Sequence, residues 1–313
     1  MMKIALLEGG RSLERGVSLR SGARVRDALT RLGHSVTGLD ASSDLVAELR
    51  ADRPDVAFIA LHGLEGEDGT VQQILELLGI PYTGSGPQAC SRTVDKSLAK
   101  AMLRAASLPT PDWITLDGSA VRDLGAAQAM PEIGERLGWP LIVKPARGGS
   151  ALGLSLARSA AEAPAAILAA LSYDSTALLE QWVDGRDLAL TVIDSPNGLL
   201  ALPAVEAVPT GENYDFEARY EIGATRFVCP AELDAQTSNR AAELAVEAFK
   251  CFGCAGVARV DLLLDSSGDL TILELDPVPG MTHTSLTPLA AEAAGIHFDD
   301  LIQQIIDLAL ART

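Results

Sequence analysis

The sequence predicts an α/β (α+β) protein of two or three domains, and three observations carry that prediction. Strand and helix patterns alternate through residues 1–90, as in an open parallel sheet covered by helices. A strand over 141–144 ends in Lys144-Pro145 and runs into a glycine–serine loop. Residues 256–288 read as two apolar runs, 257–264 and 270–275, joined by the turn formers Asp265-Ser266-Ser267-Gly268. At 313 residues the chain exceeds a usual single core.

A strand over 3–7 ends at Glu8-Gly9-Gly10, and a helix over 15–32 follows with Gly33 as its stop. The glycine turn brings backbone N–H groups to a helix N-terminus, where an anion can bind, but the G-x-G-x-x-G of dinucleotide folds is absent. Glu14 lies in this turn, and its favourable place in the helix dipole would by itself explain it. Strands over 35–39, 56–61 and 80–83 alternate with helices over 43–51 and 68–78. The strand over 56–61 delivers His62-Gly63 at its carboxyl end, the edge where such sheets place ligand groups.

A helix over 91–107 carries Lys96 and Lys100; a strand over 112–116 and a helix over 130–137 follow. The loop after Lys144 is rich in N–H donors yet lacks the Walker pattern. It reads as a cover for phosphates with Lys144 as charge partner, or as a plain glycine hairpin. A strand over 154–157, a helix over 161–171 and strands over 176–183, 187–193 and 199–208 come next. Residues 210–223 are polar, tyrosine-bearing and aperiodic, the profile of a lid. A helix over 235–252 leads into the hairpin, and helices over 285–293 and 298–310 close the chain.

On the hairpin, period-two alternation puts Arg259 and Asp261 on one face, with Glu274 and Asp276 sharing a face of the return strand. Val260, Leu262, Leu273 and Leu275 then point into a core. Uncompensated carboxylates at close range raise each other's pKa, so the cluster asks for a cation. Hard oxygen donors on rigid strands suit Mg²⁺; a solvated charged face is the alternative.

A net charge of −17 argues against nucleic-acid binding, and no apolar run is long enough to span a membrane. The first residues flow into a strand–turn–helix pattern and do not read as a signal peptide. Cys90, Cys229, Cys251 and Cys254 are few for a disulfide framework, and the single C-x-x-C has no second pair for zinc. Reduced cysteines in a cytoplasmic protein are expected.

Lysines on separate elements, a glycine–serine flap and a carboxylate hairpin are parts for handling a nucleoside triphosphate with Mg²⁺. Seven segments, in order, carry a family resemblance. They are Glu8-Gly9-Gly10 with 12–19, Ala60-Leu61-His62-Gly63 with Gly66-Glu67-Asp68-Gly69-Thr70, Pro81-Tyr82-Thr83-Gly84-Ser85-Gly86, and Asp95-Lys96. Lys144-Pro145 with Gly149-Ser150, Tyr214-Asp215 with Glu217-Ala218-Arg219-Tyr220, and Pro279-Gly280-Met281-Thr282 with Ser285-Leu286 complete them. In these segments the chain resembles the D-alanine–D-alanine ligases, nearly end to end.

The resemblance implies an ATP-grasp fold with an N-terminal open parallel α/β (pre-ATP-grasp) domain over 1–90. A central subdomain would span 91–183 and a C-terminal one 184–313. It implies ATP-dependent joining of two D-alanines through an acylphosphate, for cell-wall synthesis, with two Mg²⁺ (or Mn²⁺) in a cytoplasmic homodimer. By the same resemblance Lys96, Lys144 and Arg219 contact ATP, Glu180, Trp182 and Val183 form the adenine hinge, and Asp187 holds the ribose. Asp261, Glu274 and Asp276 bind metal. Glu14 holds the ammonium of the first D-alanine with His62 near it, and Arg259 and the Gly280 N–H form the oxyanion site. Ser285 and Leu286 take the second carboxylate, while Ser150 and Tyr220 link flap, lid and Glu14. The family usually has Asn where Asp276 stands, Glu at Asp187, Gly16 and Gly148, and Lys at Arg219. Two rivals are a ligase joining a different acceptor and a nucleotide-binding regulator without catalysis. Tyr220 speaks against a hydroxy-acid acceptor, and retention of Arg259, Asp261, Glu274, Ser150 and Tyr220 speaks against the regulator.

Overall fold

A computed structural model describes residues 1–195, 198–209 and 224–312. The expected lid over 210–223, with Arg219 and Tyr220, lies outside the described residues.

The apolar run Lys3–Glu8 is the middle strand of a three-stranded parallel sheet, between Ser35–Asp40 and Val56–Ile59. Parallel neighbours need a crossover, and the first helix, Arg15–Arg31, supplies one while burying Val17, Val25, Ala28 and Leu29. The last helix, Phe298–Ala311, returns to this sheet and shares its core through Leu301, Ile302, Ile305 and Ile306.

A second sheet is antiparallel, in the order Trp113–Asp117, Thr176–Gln181, Leu141–Pro145, Ser155–Ala157. The helices Met130–Leu137 and Ala163–Leu171 cover it with Ile133, Leu137 and Ile167. The third sheet has six strands around Gly185–Ser195 and Val257–Asp265, with Leu270–Asp276 at one edge. Helix Ala235–Phe252 lays Leu244, Phe249 and Phe252 on Leu190, Val260, Leu262 and Ile272.

Four expectations are corrected. The helix over 91–107 is two helices, Pro87–Val94 and Lys96–Ala105, because Asp95 adopts an extended conformation and caps the N–H groups of Ser97 and Leu98. The break lets the Lys96 N–H donate to the Ala146 carbonyl (2.9 Å), tying the lysine to the flap. The strand over 80–83 reduces to a single bridge between Tyr82 and Ala57. The strand over 199–208 divides into Gly198–Ala201 and Val205–Pro209, both paired with the long strand Gly185–Ser195.

The fourth correction concerns the hairpin. Asp261 pairs with Glu274, but Leu262 pairs with Ile272, leaving Leu273 as an extra residue in a β-bulge. Ile272 therefore takes the core place expected for Leu273, and Leu273 turns into a cleft beside Leu263. The bulge confines the broken alternation to one residue and leaves Glu274 and Asp276 opposite Asp261 and Arg259.

Phe249 is 2% exposed and joins the helix to the sheet that carries the hairpin. Phe249→Ala should lower the unfolding free energy by about 3–5 kcal/mol, read as a lower urea midpoint at an unchanged slope.

Candidate active site

The hairpin sets the floor of the site. Arg259 donates from Nε (2.7 Å) and Nη2 (2.9 Å) to the two oxygens of Asp261, and from Nη1 (3.0 Å) to Asp276. Asp276 also accepts the Val278 N–H at 3.0 Å. Burial opposes the guanidinium charge, but Asp261 and Asp276 outweigh it and hold the pKa far above its ordinary value. Lys96 lies 3.9 Å from Glu274 and donates to the Gly148 carbonyl at 2.5 Å. The three carboxylates thus face two cations of the chain itself, so the cluster does not need a metal merely to relieve repulsion. Among the described residues no three acidic, histidine or cysteine side chains form a ready metal cage. Three carboxylates on adjacent strands nevertheless fit a hard cation that takes a few protein oxygens and completes its shell with water and phosphate.

Glu14 begins the first helix but makes no side-chain cap there. Its carboxylate turns inward, 5% exposed, and accepts a hydrogen bond from the Ser150 hydroxyl at the flap. Two close approaches make room for it. A Cβ on Gly63 would stand 2.4 Å from Glu14 Oε2, and one on Gly149 would stand 2.9 Å away. Gly63 also has φ +70°, a conformation that favours glycine. Ser150 (φ +54°) and Ala151 (φ +57°) hold left-handed conformations at the flap tip. Burial first, then Glu67, raises the Glu14 carboxyl to about 7; the Ser150 hydrogen bond opposes the rise.

His62 is buried, with Nε2 3.0 Å from Ser21 Oγ and Nδ1 3.4 Å from Glu67 Oε1. Burial lowers its pKa below the ordinary value, which keeps the imidazole neutral near pH 7. Burial and Asp276 push Glu67 up to about 8. Glu67 lines the same cavity as Glu14, His62, Lys96, Ser150, Arg259, Glu274, Asp276, Gly280, Ser285 and Leu286. Sequence reasoning did not single out Glu67, although Gly66 to Thr70 follows directly on the loop that carries His62.

Gly280 permits another close approach, since a Cβ there would stand 2.8 Å from Ser285 Oγ. Ser285 Oγ accepts the Thr282 N–H at 2.9 Å, and Ser285 stands at the N-cap of helix Leu286–Ala293. Its free N–H groups and dipole favour a carboxylate there.

A second cleft opens between the second and third sheets, lined by Ile142, Lys144, Glu180, Trp182, Val183, Asp187, Leu263 and Leu273. Lys96, Lys144, Gly148, Gly149 and Glu274 line the space joining the two. Lys144 Nζ lies 2.7 Å from Glu180, and the fully buried Lys100 grips the other oxygen of the same carboxylate. Burial opposes ionisation of Glu180, but the two lysines prevail and hold its pKa below the ordinary value. Burial lowers Lys100 to about 8 against the pull of Glu180. Lys100 was not expected at the site; its position four residues after Lys96, on one helix face, was the available signal.

Two sheets clamping a lysine-lined cleft above a carboxylate hairpin define an ATP-grasp fold. Comparison with known proteins makes the assignment specific. The family model described as D-ala D-ala ligase C-terminus matches residues 102–307, and that described as D-ala D-ala ligase N-terminus matches 38–85. The D-alanine–D-alanine ligase of Gloeobacter violaceus is 40% identical, covering 99% of this chain and 100% of that protein. The crystal structure of D-alanine–D-alanine ligase from Bacillus anthracis complexed with ATP is similar at a TM-score of 0.84 and 30% identity, covering 100% of this chain and 98% of that one. VanG D-Ala:D-Ser ligase from Enterococcus faecalis is similar at a TM-score of 0.83 and 27% identity, over 98% and 99% of the two chains. This chain belongs to the D-alanine–D-alanine ligase family.

The raised Glu14 pKa has a stability consequence. Below about pH 4.5 the carboxyl is protonated folded or unfolded and costs nothing; as pH rises from there to about 7 the unfolded chain ionises it while the folded chain holds the proton, and stability falls until the folded carboxyl ionises too. Glu14→Gln should therefore stabilise the ligand-free protein by about 2 kcal/mol at pH 8 and hardly at all at pH 4, read by urea unfolding at both pH values. Equal effects at the two would contradict the burial account.

Proposed function

We propose that this chain phosphorylates the carboxylate of one D-alanine with ATP and joins the resulting acylphosphate to the amine of a second. ADP and phosphate leave, and D-alanyl-D-alanine is the product, a precursor for peptidoglycan. One observation carries the reading: Glu14, Ser150, Arg259, Gly280 and Ser285, from distant parts of the chain, line one cavity that opens into the lysine cleft.

The Glu14 carboxylate is placed for the donor ammonium, whose charge would offset the burial that raises its pKa. Ser150 ties the flap to that carboxylate, so donor binding and flap closure are one event, and closure keeps water from the acylphosphate. Lys96 and Lys144 face the phosphates, Glu180, Trp182 and Val183 the adenine, and Asp187 the ribose. Arg259, oriented by Asp261 and Asp276, points its charge at the cavity, where with the Gly280 N–H it would stabilise the tetrahedral oxyanion. Ser285 and the N–H of Leu286 receive the acceptor carboxylate. The neutral His62 and its neighbour Glu67 are a buried pair able to take the proton that the attacking ammonium must lose. Asp261, Glu274 and Asp276 would hold Mg²⁺ or Mn²⁺, which would neutralise charge on the phosphates. By family resemblance Arg219 and Tyr220 act from the lid, residues 1–90, 91–183 and 184–313 form three units, and the protein works as a cytoplasmic homodimer. No helix among the described residues is long and apolar enough to cross a membrane.

Phosphate release from Mg-ATP with D-alanine alone, with the dipeptide seen by mass spectrometry, tests the reading. The likeness to a D-Ala:D-Ser ligase favours one alternative acceptor, so D-serine and D-lactate belong in the same assay. Turnover only with another acceptor would move the chain to that branch, and ATP binding without turnover would leave a regulator.

Arg259→Ala should lower kcat by about 10²–10³ while ATP still binds; near-normal turnover would remove Arg259 from the oxyanion role. Asp276→Asn keeps one oxygen acceptor and should retain kcat within about tenfold. An inactive Asn variant would show a site built around the Arg259–Asp276 charge pair.

A further inference from the structure

The first helix does more than start at Glu14. Ser18 Oγ accepts the Gly9 N–H at 2.9 Å and donates to the Ala60 carbonyl at 2.8 Å, fixing the helix to the strand ends beside His62. One turn later Ser21 Oγ lies 3.0 Å from His62 Nε2 and accepts the Met281 N–H at 3.2 Å. Next in line, Arg24 Nη1 donates to the Thr282 carbonyl at 2.7 Å and reaches the Met281 carbonyl at 3.3 Å. Its guanidinium carbon sits 3.8 Å from the centre of the Phe298 ring, at the start of the last helix.

Residues 281 and 282 belong to the segment that carries Gly280, Ser285 and Leu286. Thr282 in turn gives its N–H to Ser285 Oγ at 2.9 Å, and its own hydroxyl lies 2.8 Å from the same oxygen. A chain of contacts therefore runs from Phe298 through Arg24 and Thr282 to the hydroxyl at the acceptor end of the cavity. Arg24 is half-buried and does not itself line that cavity. A guanidinium bridging two consecutive carbonyls while stacked on a ring leaves the loop backbone little freedom to rotate.

We propose that Arg24 is a positioning residue for the acceptor half of the site. Seated on Phe298, it holds the Met281–Thr282 backbone so that Ser285 and the N–H of Leu286 present themselves to the carboxylate of the second amino acid. The first helix thereby fixes the separation between the donor ammonium site at Glu14 and the acceptor carboxylate site. This inference rests on the ligase reading above.

The test is steady-state kinetics of dipeptide synthesis, resolved into separate KM values for the donor and acceptor D-alanine. Arg24→Met keeps the aliphatic stem and removes the donors. It should raise the acceptor KM about tenfold, the scale of one charge-assisted hydrogen bond, while donor and ATP KM values stay within about twofold. Arg24→Lys, which keeps a charged donor nitrogen but lacks the planar fork that stacks on Phe298, should recover part of the loss. Phe298→Leu, which keeps Arg24 but removes its platform, should raise the acceptor KM by a smaller factor. Should Arg24→Met fail to fold, the Lys and Leu variants give the same reading by the same split. An unchanged acceptor KM, or equal rises in both KM values, would overturn the positioning role while leaving the ligase reading intact. Wild-type protein that makes no dipeptide would overturn both.

Discussion

A guanidinium held by two carboxylates on a bulged hairpin is the interaction on which the rest of the site depends. Arg259, Asp261 and Asp276 are each less than one-fifth exposed at the side chain, so their charges are largely out of water and sustained by one another. Breaking such a set by removing one member costs about 3–5 kcal/mol, far above the worth of a surface ion pair. The arrangement leaves the hairpin nearly balanced, with Lys96 beside Glu274, and gives Arg259 one fixed orientation. The bulge at Leu273 is what allows this: the core face keeps its apolar ladder while Glu274 and Asp276 remain opposite Asp261 and Arg259. Leu273, displaced from the core, joins Leu263 in the cleft wall.

Around that floor the chain brings in groups from far away, and the packing is tight enough to demand glycine. Gly63 and Gly149 approach the Glu14 carboxylate from separate segments of the chain, and a side chain on either would occupy its place. The raised pKa of Glu14, the raised pKa of Glu67 and the left-handed Ser150 and Ala151 are all unfavourable for folding alone. Each becomes reasonable if a cationic ammonium and a closed flap are part of the working state. The lysine side is built the other way: Glu180, Lys100 and Lys144 are already paired, so Lys144 is presented to the cleft at a fixed place.

Much of this was legible in the sequence because it depends on local pattern. The alternating first sheet, the helix beginning at Arg15, the strand ending in Lys144-Pro145 and the carboxylate hairpin follow from periodicity and turn chemistry. What was missed depends on contacts between segments. A bulge is invisible to a strict two-residue alternation, which puts Leu273 in the core. The helix break at Asp95 was signalled by an N-cap residue before Lys96-Ser97, yet the apolar pattern runs through it. Glu14 reads locally as a favourable helix-dipole charge; family resemblance, not local pattern, points to its link with Ser150, and in the fold its carboxylate turns away from the helix onto that hydroxyl. Glu67 and Lys100 had only weak signals, a place in the segment after His62 and a helical spacing from Lys96, and Arg24 had none, because the partners of all three lie on other elements.

The proposed ligation requires phosphorylation of the donor carboxylate in the cavity floored by Arg259. Its most direct measurement is the fate of oxygen-18 in D-alanine labelled at the carboxylate and turned over with unlabelled ATP. The account predicts one labelled oxygen in each inorganic phosphate formed, with ADP as the other product. Label in AMP, or dipeptide formed with no label in phosphate, would contradict it.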